Sequence, residues 1–214
     1  MFARTTFVTA RPAGIDEGLR CVREVLPTLQ DVPGFVGLST LVDRATGRCI
    51  ITTSWQSMEA LRDSDAQVRP IRDQCIDAFN AADTTSAAGA EGAVVDQWDV
   101  ALMRRAHMSE RAACARVSWL EGDPDTMSDM IDGFRTAIPS LQLLEGFAST
   151  SLLVDRMGGR AVATVVYDSS AALAKARPQE NAIRTSIADA TGTYVIEVAE
   201  FELAVSRLRV PELV

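Results

Sequence analysis

The chain has 214 residues, 47% of them hydrophobic, and a formal net charge of −8, so it can bury a real core while its surface repels nucleic-acid backbones and anionic membranes. Four cysteines (Cys21, Cys49, Cys75, Cys114) stand far apart with no CxxC, and the single histidine, His107, falls in the stretch joining the two halves. A zinc site, a secreted disulfide framework, a His-based triad and a haem ligand are all poorly supported, and no metal or cofactor is expected. No apolar run reaches the roughly 18 residues of a membrane span, and the amino terminus alternates like a strand, so a cytoplasmic protein with reduced thiols is expected.

In chain order, Phe2 to Thr9 reads as a strand with bulk on both faces. Ile15, Leu19, Val22, Val25, Leu26 and Leu29 then recur at helical spacing, and Pro33-Gly34-Phe35 ends that helix. Strands Phe35 to Val42 and Cys49 to Trp55 flank a turn, Asp43 to Arg48, that carries the Asp and Gly a hairpin needs. A second helical region starts after Gln56-Ser57 and is expected to break near Pro70. The small, polar stretch from Ala82 to Gly92 reads as a loop before a last strand, Ala93 to Met103.

The same order returns. Ala113 to Leu120 is a strand, and Asp123 can cap and Pro124 open a helix whose apolar face holds Met127, Ile131, Phe134, Ile138 and Leu141. Glu145-Gly146-Phe147 ends it, strands Phe147 to Val154 and Ala161 to Tyr167 flank the turn Asp155 to Arg160, and a helix follows Asp168-Ser169 with a break expected near Pro178. Tyr194 to Val205 closes the second series.

This is a duplication. A shift of 112 positions lays Leu41-Val42-Asp43-Arg44 on Leu153-Val154-Asp155-Arg156, and without a gap also matches Ala3-Arg4, Pro27, Leu29-Gln30, Gly34-Phe35, Ala60-Leu61 and Ile71-Arg72 to their partners. Near the end the offset becomes 103, with Trp98 on Phe201, so the first copy carries extra residues in the Ala82 to Gly92 stretch. Each copy is β-α-β-β-α-β, the ferredoxin-like order, which predicts an α+β fold with domains 1–107 and 108–214. Apolar groups on both faces of the strands, among them Phe7, Trp98, Trp119 and Phe201, call for two sheets packed face to face as an internal dimer. A further homodimer of whole chains is also open.

Thr53-Ser54-Trp55-Gln56-Ser57-Met58-Glu59-Ala60-Leu61, directly after a strand and opening a helix, resembles the Trp-x-[Ser/Asp]-x-x-Ala-Leu segment of the antibiotic biosynthesis monooxygenase (ABM) family. Val166-Tyr167-Asp168-Ser169-Ser170-Ala171-Ala172-Leu173 is a weaker version in the second copy, and the Pro-Gly-Phe and Asp-Arg turns fit the same layout. The resemblance covers nearly the whole chain as two tandem domains. It implies the dimeric α+β barrel, a pocket in each unit between sheet and helices, and a family whose members include cofactor-free oxygenases of aromatic phenols, haem-degrading enzymes and proteins of no assigned activity. The histidines that often follow Ala-Leu in the family are replaced by Arg62, Asp63, Ser64 and Asp65, and by Ala174, Lys175, Ala176 and Arg177. The haem degraders' asparagine, tryptophan and histidine have no match, since Asn80, Asn181 and His107 sit in other segments.

Trp55 and Tyr167 end the third strand of each copy, where the family pocket opens; each can stack on a flat ligand or pack helix on strand. Arg4 and Arg116 recur in mid-strand, where an unpaired guanidinium is costly. A carboxylate of the last strand (Asp96 or Asp99; Glu200 or Glu202) or an anionic ligand can answer them. Arg72 and Arg184 recur on the second helical region, and Phe35 and Phe147 at the start of the second strand complete the candidate ligand contacts. Trp98, Trp119, Met103, Met108, Met127 and Met130 read as core. The expected activity is cofactor-independent oxygenation of a small aromatic phenol, with Trp55 holding the ring, Arg4 or Arg72 stabilising the anion, and Asp65 or Asp63 as a base raised in pKa by burial. The alternative is a non-catalytic ligand-binding or assembly protein that keeps the fold.

Overall fold

A computed structural model describes residues 1–80, 93–107 and 113–208; the Ala82 to Gly92 stretch and Met108 lie outside them. The chain forms β1 (Phe2–Thr9), α1 (Ile15–Gln30), β2 (Phe35–Asp43), β3 (Arg48–Trp55), α2 (Met58–Asp63), α3 (Asp65–Asn80) and β4 (Val94–Arg105), then β5 (Cys114–Glu121), α4 (Met127–Gln142), β6 (Phe147–Asp155), β7 (Arg160–Tyr167), α5 (Ser170–Thr191) and β8 (Tyr194–Leu208). Short 3-10 turns, Pro12–Gly14 and Pro124–Thr126, precede α1 and α4. Strand hydrogen bonding runs β1-β3-β2-β8-β5-β7-β6-β4 and closes as a barrel. The α+β class and the tandem ferredoxin-like order are as the repeat predicts.

The molecule divides into two compact units inside β4 and β8. One holds Met1–Gln97 with β8 from Ala204, the other Trp98–Leu203. In the first, β1 and β2 flank β3 antiparallel, with Phe2 and Phe35 both opposite Trp55. In the second, β5 lies between β7 and β8, β6 joins β7, and β4 from Asp99 joins β6, all antiparallel. Each unit has its own core: Leu19, Val22, Leu38, Trp55, Leu61 and Phe79 in the first, Met130, Phe134, Leu152, Tyr167 and Leu173 in the second.

Local chemistry sets the elements. Ser57 Oγ accepts from Ala60 N at 3.0 Å and Ser169 Oγ from Ala172 N at 3.2 Å, so both second helical regions start on a hydroxyl cap. Asp43 Oδ1 accepts from Ala45 N at 2.9 Å, and Asp155 Oδ1 from Gly158 N at 2.9 Å, closing the hairpin turns. Gly47 and Gly159 (φ 78° and 63°) take the left-handed positions of these turns. A side chain at either would meet the carbonyl of Ala10 or Gly122 within about 2.2 Å, so backbone approach as well as φ requires glycine.

The breaks expected near Pro70 and Pro178 are not where the helices break. α3 runs through Pro70 and α5 through Pro178. A proline removes one amide bond, and the packing of an amphipathic helix outweighs that loss. The first copy breaks instead at Ser64, whose Oγ donates to Leu61 O at 2.7 Å and whose carbonyl accepts from Gln67 and Val68. Hydroxyl bonding back to the preceding turn, rather than the proline, separates α2 from α3.

Trp98 is buried beneath the Arg160 guanidinium, 5.1 Å from its ring centre, and Trp119 is half-buried against Phe201 at 6.2 Å. Met103, Met127 and Met130 are buried. No helix among the described residues is long and apolar enough to cross a membrane.

Candidate functional site

Each unit carries a cleft between its sheet and its helices, and the two are built from repeat-equivalent positions. The first is lined by Arg4, Thr6, Leu38 and Ile51 of the sheet and Val68, Ile71, Arg72 and Cys75 of α3, with apolar residues of α1 beside them; the cleft holds about 430 Å³ free of protein atoms, part of it open solvent, around a cavity of about 40 Å³. The second is lined by Ser118, Ala163, Glu180, Ile183, Arg184 and Ile187 among others, with about 510 Å³ around a cavity of about 40 Å³. Both walls are mainly aliphatic, as suits a small, largely apolar ligand held by a few polar groups.

The polar groups differ. In the first unit Arg4 is 2% exposed. Its Nη2 donates to Leu61 O at 2.9 Å and lies 3.3 Å from Asp65 Oδ1, while Nη1 has no hydrogen-bond partner among the described residues. Asp65 is shared: Arg69 donates to Oδ2 and Arg72 Nη1 stands 4.0 Å from Oδ1. Arg72 Nε is 3.5 Å from Asp73 Oδ1 but without hydrogen-bond geometry. Burial lowers the Arg4 pKa against the pull of Asp65, with Arg72 and Arg69 lowering it further. The guanidinium stays charged, but at a cost that an anion placed against it would relieve.

In the second unit the same guanidinium is fully answered. Arg116 Nη2 donates to Leu173 O at 3.0 Å, the counterpart of the Arg4–Leu61 bond. Its Nη1 donates to Glu180 Oε2 at 2.5 Å, and Nε and Nη2 reach Glu200 Oε1 at 3.2 and 2.8 Å. Glu180 also accepts from the Tyr167 hydroxyl at 3.0 Å. Burial pushes the Glu180 carboxyl above the usual glutamate range while Arg116 and Tyr167 pull it back. By the repeat, Glu180 stands where the first unit has Val68, and Glu200 where it has Gln97.

Of the residues singled out from sequence, Arg4 and Arg72 come together in one cleft, and Arg184 lines the other. Arg116 is reached there through Glu180. Trp55 and Tyr167 are fully buried: Trp55 Nε1 donates to Thr53 Oγ1 at 3.2 Å and its ring meets Phe35 edge-on at 5.5 Å. Phe147 is buried in the second core. None of these four aromatics lines either of the two clefts; Trp55, Tyr167 and Phe147 are buried and Phe35 is half-buried. Asp65 lies beside Arg4 rather than on the wall, and its pKa is depressed, first by the Arg69 hydrogen bond, with burial opposing. This reverses the raised base expected of it, because three arginines surround a carboxylate that is only partly buried. Arg4 is answered by Asp65 rather than by Asp96 or Asp99, whereas Arg116 does meet Glu200. Sequence reasoning missed Glu180; a glutamate breaking the apolar pattern of α5 opposite Val68 was the available signal. It also missed that Cys21 Sγ and Cys75 Sγ lie 2.7 Å apart, with Cys75 on the cleft wall. His107 Nε2, expected to be a plain linker residue, lies 2.8 Å from Asp168 Oδ1. No group of His, Cys, Asp or Glu side chains able to hold a metal occurs among the described residues.

Solved structures share this α+β barrel fold. A candidate monooxygenase from Lactobacillus acidophilus NCFM superposes with a TM-score of 0.69 at 12% identity, covering 97% of this chain and 96% of that one. An anthrone oxidase-like protein gives 0.67 at 14% identity, covering 100% and 94%. No family model matches the chain. Among curated proteins, Rv2558 of Mycobacterium tuberculosis H37Rv is 42% identical across 100% of this chain and 88% of its own length, and Rv2557 of the same strain is 39% identical across 100% and 92%; both are uncharacterized. The chain belongs to the family of these two mycobacterial proteins.

Proposed function

We propose that the protein is a cofactor-independent, ABM-type oxygenase of the cytoplasm that binds a small aromatic or phenolic molecule as its anion in the cleft of the first unit. The observation that carries this reading is the buried Arg4 guanidinium, with Nη1 unanswered among the described residues, beside Arg72 on an otherwise aliphatic wall. Two cationic groups there lower the pKa of a bound phenol, so its proton leaves to solvent without a strong protein base. That suits a cleft in which Asp65 is held as an ion-pair partner. In an anthrone-type substrate the anion's charge spreads to the ring carbon, which adds dioxygen to give a peroxide anion. Protonation by solvent and loss of water follow, so that one ring methylene and one dioxygen become one ring carbonyl and one water: the carbon is oxidised, one oxygen atom is kept, and the other leaves as water with the two methylene hydrogens. The sequence domains 1–107 and 108–214 are the duplicated copies in this reading.

The test measures oxygen uptake and ligand occupancy separately with anthrone. Stoichiometric uptake that falls at least about tenfold in Arg4→Met supports oxygenation. Binding without uptake supports the second reading, a non-catalytic carrier, which the absence of a raised carboxylate at Asp65 favours.

A further inference from the structure

We infer that the chain holds one anion site rather than two, and that the pair Val68 and Glu180 decides it. The inference rests on the ligand reading above and names the group recognised: a single carboxylate or phenolate oxygen on an apolar body, seated against Arg4 Nη1.

The second unit supplies the pattern. Arg4 and Arg116 are held alike, each donating through Nη2 to the carbonyl of an equivalent leucine, Leu61 at 2.9 Å and Leu173 at 3.0 Å. Their Nη1 atoms part company. That of Arg116 meets the Glu180 carboxylate, which reaches the cleft wall from α5 and also takes the Tyr167 hydroxyl. That of Arg4 meets no acceptor among the described residues, since α3 offers the methyls of Val68 at the equivalent place. Glu180 is therefore an internal carboxylate bound to the very group that the first unit leaves for a ligand. The neighbouring arginines follow suit: the charge of Glu180 acts on Arg184, whereas Arg72 is left a shared Asp65 at 4.0 Å and Asp73 at 3.5 Å. A small anion finds an unanswered donor in the first cleft and a carboxylate already in place in the second, where like charge repels it.

The experiment is calorimetric titration of the full chain with 1-naphthoate, and with naphthalene as the uncharged control. Wild type is expected to bind one naphthoate per chain. Val68→Glu, which writes the second unit's carboxylate into the first, is expected to bind naphthoate at least about tenfold more weakly than the similarly sized, uncharged Val68→Gln, while the two variants bind naphthalene alike to within about threefold. Glu180→Val is expected to add a second naphthoate per chain; should that variant not fold, the Val68 pair still decides. Two equivalents on wild type, none at all, or equal losses in Val68→Glu and Val68→Gln would overturn the inference. One equivalent with the expected Val68 pattern but no oxygen uptake removes only the oxygenase reading.

Discussion

Arg116 and Arg4 occupy matching places and should differ sharply in what their removal costs. Arg116→Met leaves Glu180, 4% exposed, without its cation, and destabilisation of about 3–5 kcal/mol is expected. Arg4→Met leaves Asp65 with Arg69 and Arg72, so its loss should fall well below that. Denaturant midpoints at unchanged slope measure both. The thiols give a second residue-scale outcome. Burial pushes Cys49 up to about 12 and also raises Cys75 and Cys114, but Cys114 is the one cysteine partly exposed. Iodoacetamide at about pH 8 should therefore modify Cys114 first and the others only as the protein unfolds, followed by mass spectrometry. Arg4 was legible in the sequence because a charge in mid-strand is conspicuous. The Cys21–Cys75 approach was not, because 54 residues separate the pair and only the seating of α1 on α3 brings it together.

At the scale of elements, that same helix pair depends on a missing side chain. A methyl at Gly18 of α1 would lie 2.2 Å from the Phe79 ring of α3, and Phe79 is fully buried. Gly18→Ala should cost about 1–3 kcal/mol by overpacking, although alanine is the better helix former. Thermal unfolding of the variant checks this, and a rise in melting temperature would contradict it. Strands, turns and helix starts were readable from alternation, Asp and Gly turns, and the Ser57 and Ser169 caps. The helix break was not: proline is the loudest helix signal in the sequence, yet Ser64 made the break through a hydroxyl bond that composition does not reveal.

For the whole molecule, acid is the informative variable. Asp43, Asp65, Asp155 and Glu200 have folded-state pKa values below their ordinary ones, so their contributions are present above about pH 4.5 and are lost as pH falls through the lowered values. Glu180 is raised and works the other way, its burial cost easing as it takes up a proton. The lowered carboxylates outnumber the raised one, which predicts stability that declines below about pH 4, read by denaturant titration across pH. The barrel and the double ferredoxin order were visible beforehand because a duplicated β-α-β-β-α-β pattern has few ways to bury its sheets. What the repeat did not reveal was the source of asymmetry: Arg4 matches Arg116, while the residues that set them apart, Val68 and Glu180, lie at positions where the copies disagree.

That disagreement has an evolutionary reading. Two identical subunits share one gene, so a glutamate introduced beside one arginine appears beside both, and each binding surface must remain serviceable. Once the copies are joined in one polypeptide, each can accumulate changes alone: Glu180 answers one arginine from within, while the twin arginine keeps an Nη1 without an acceptor among the described residues.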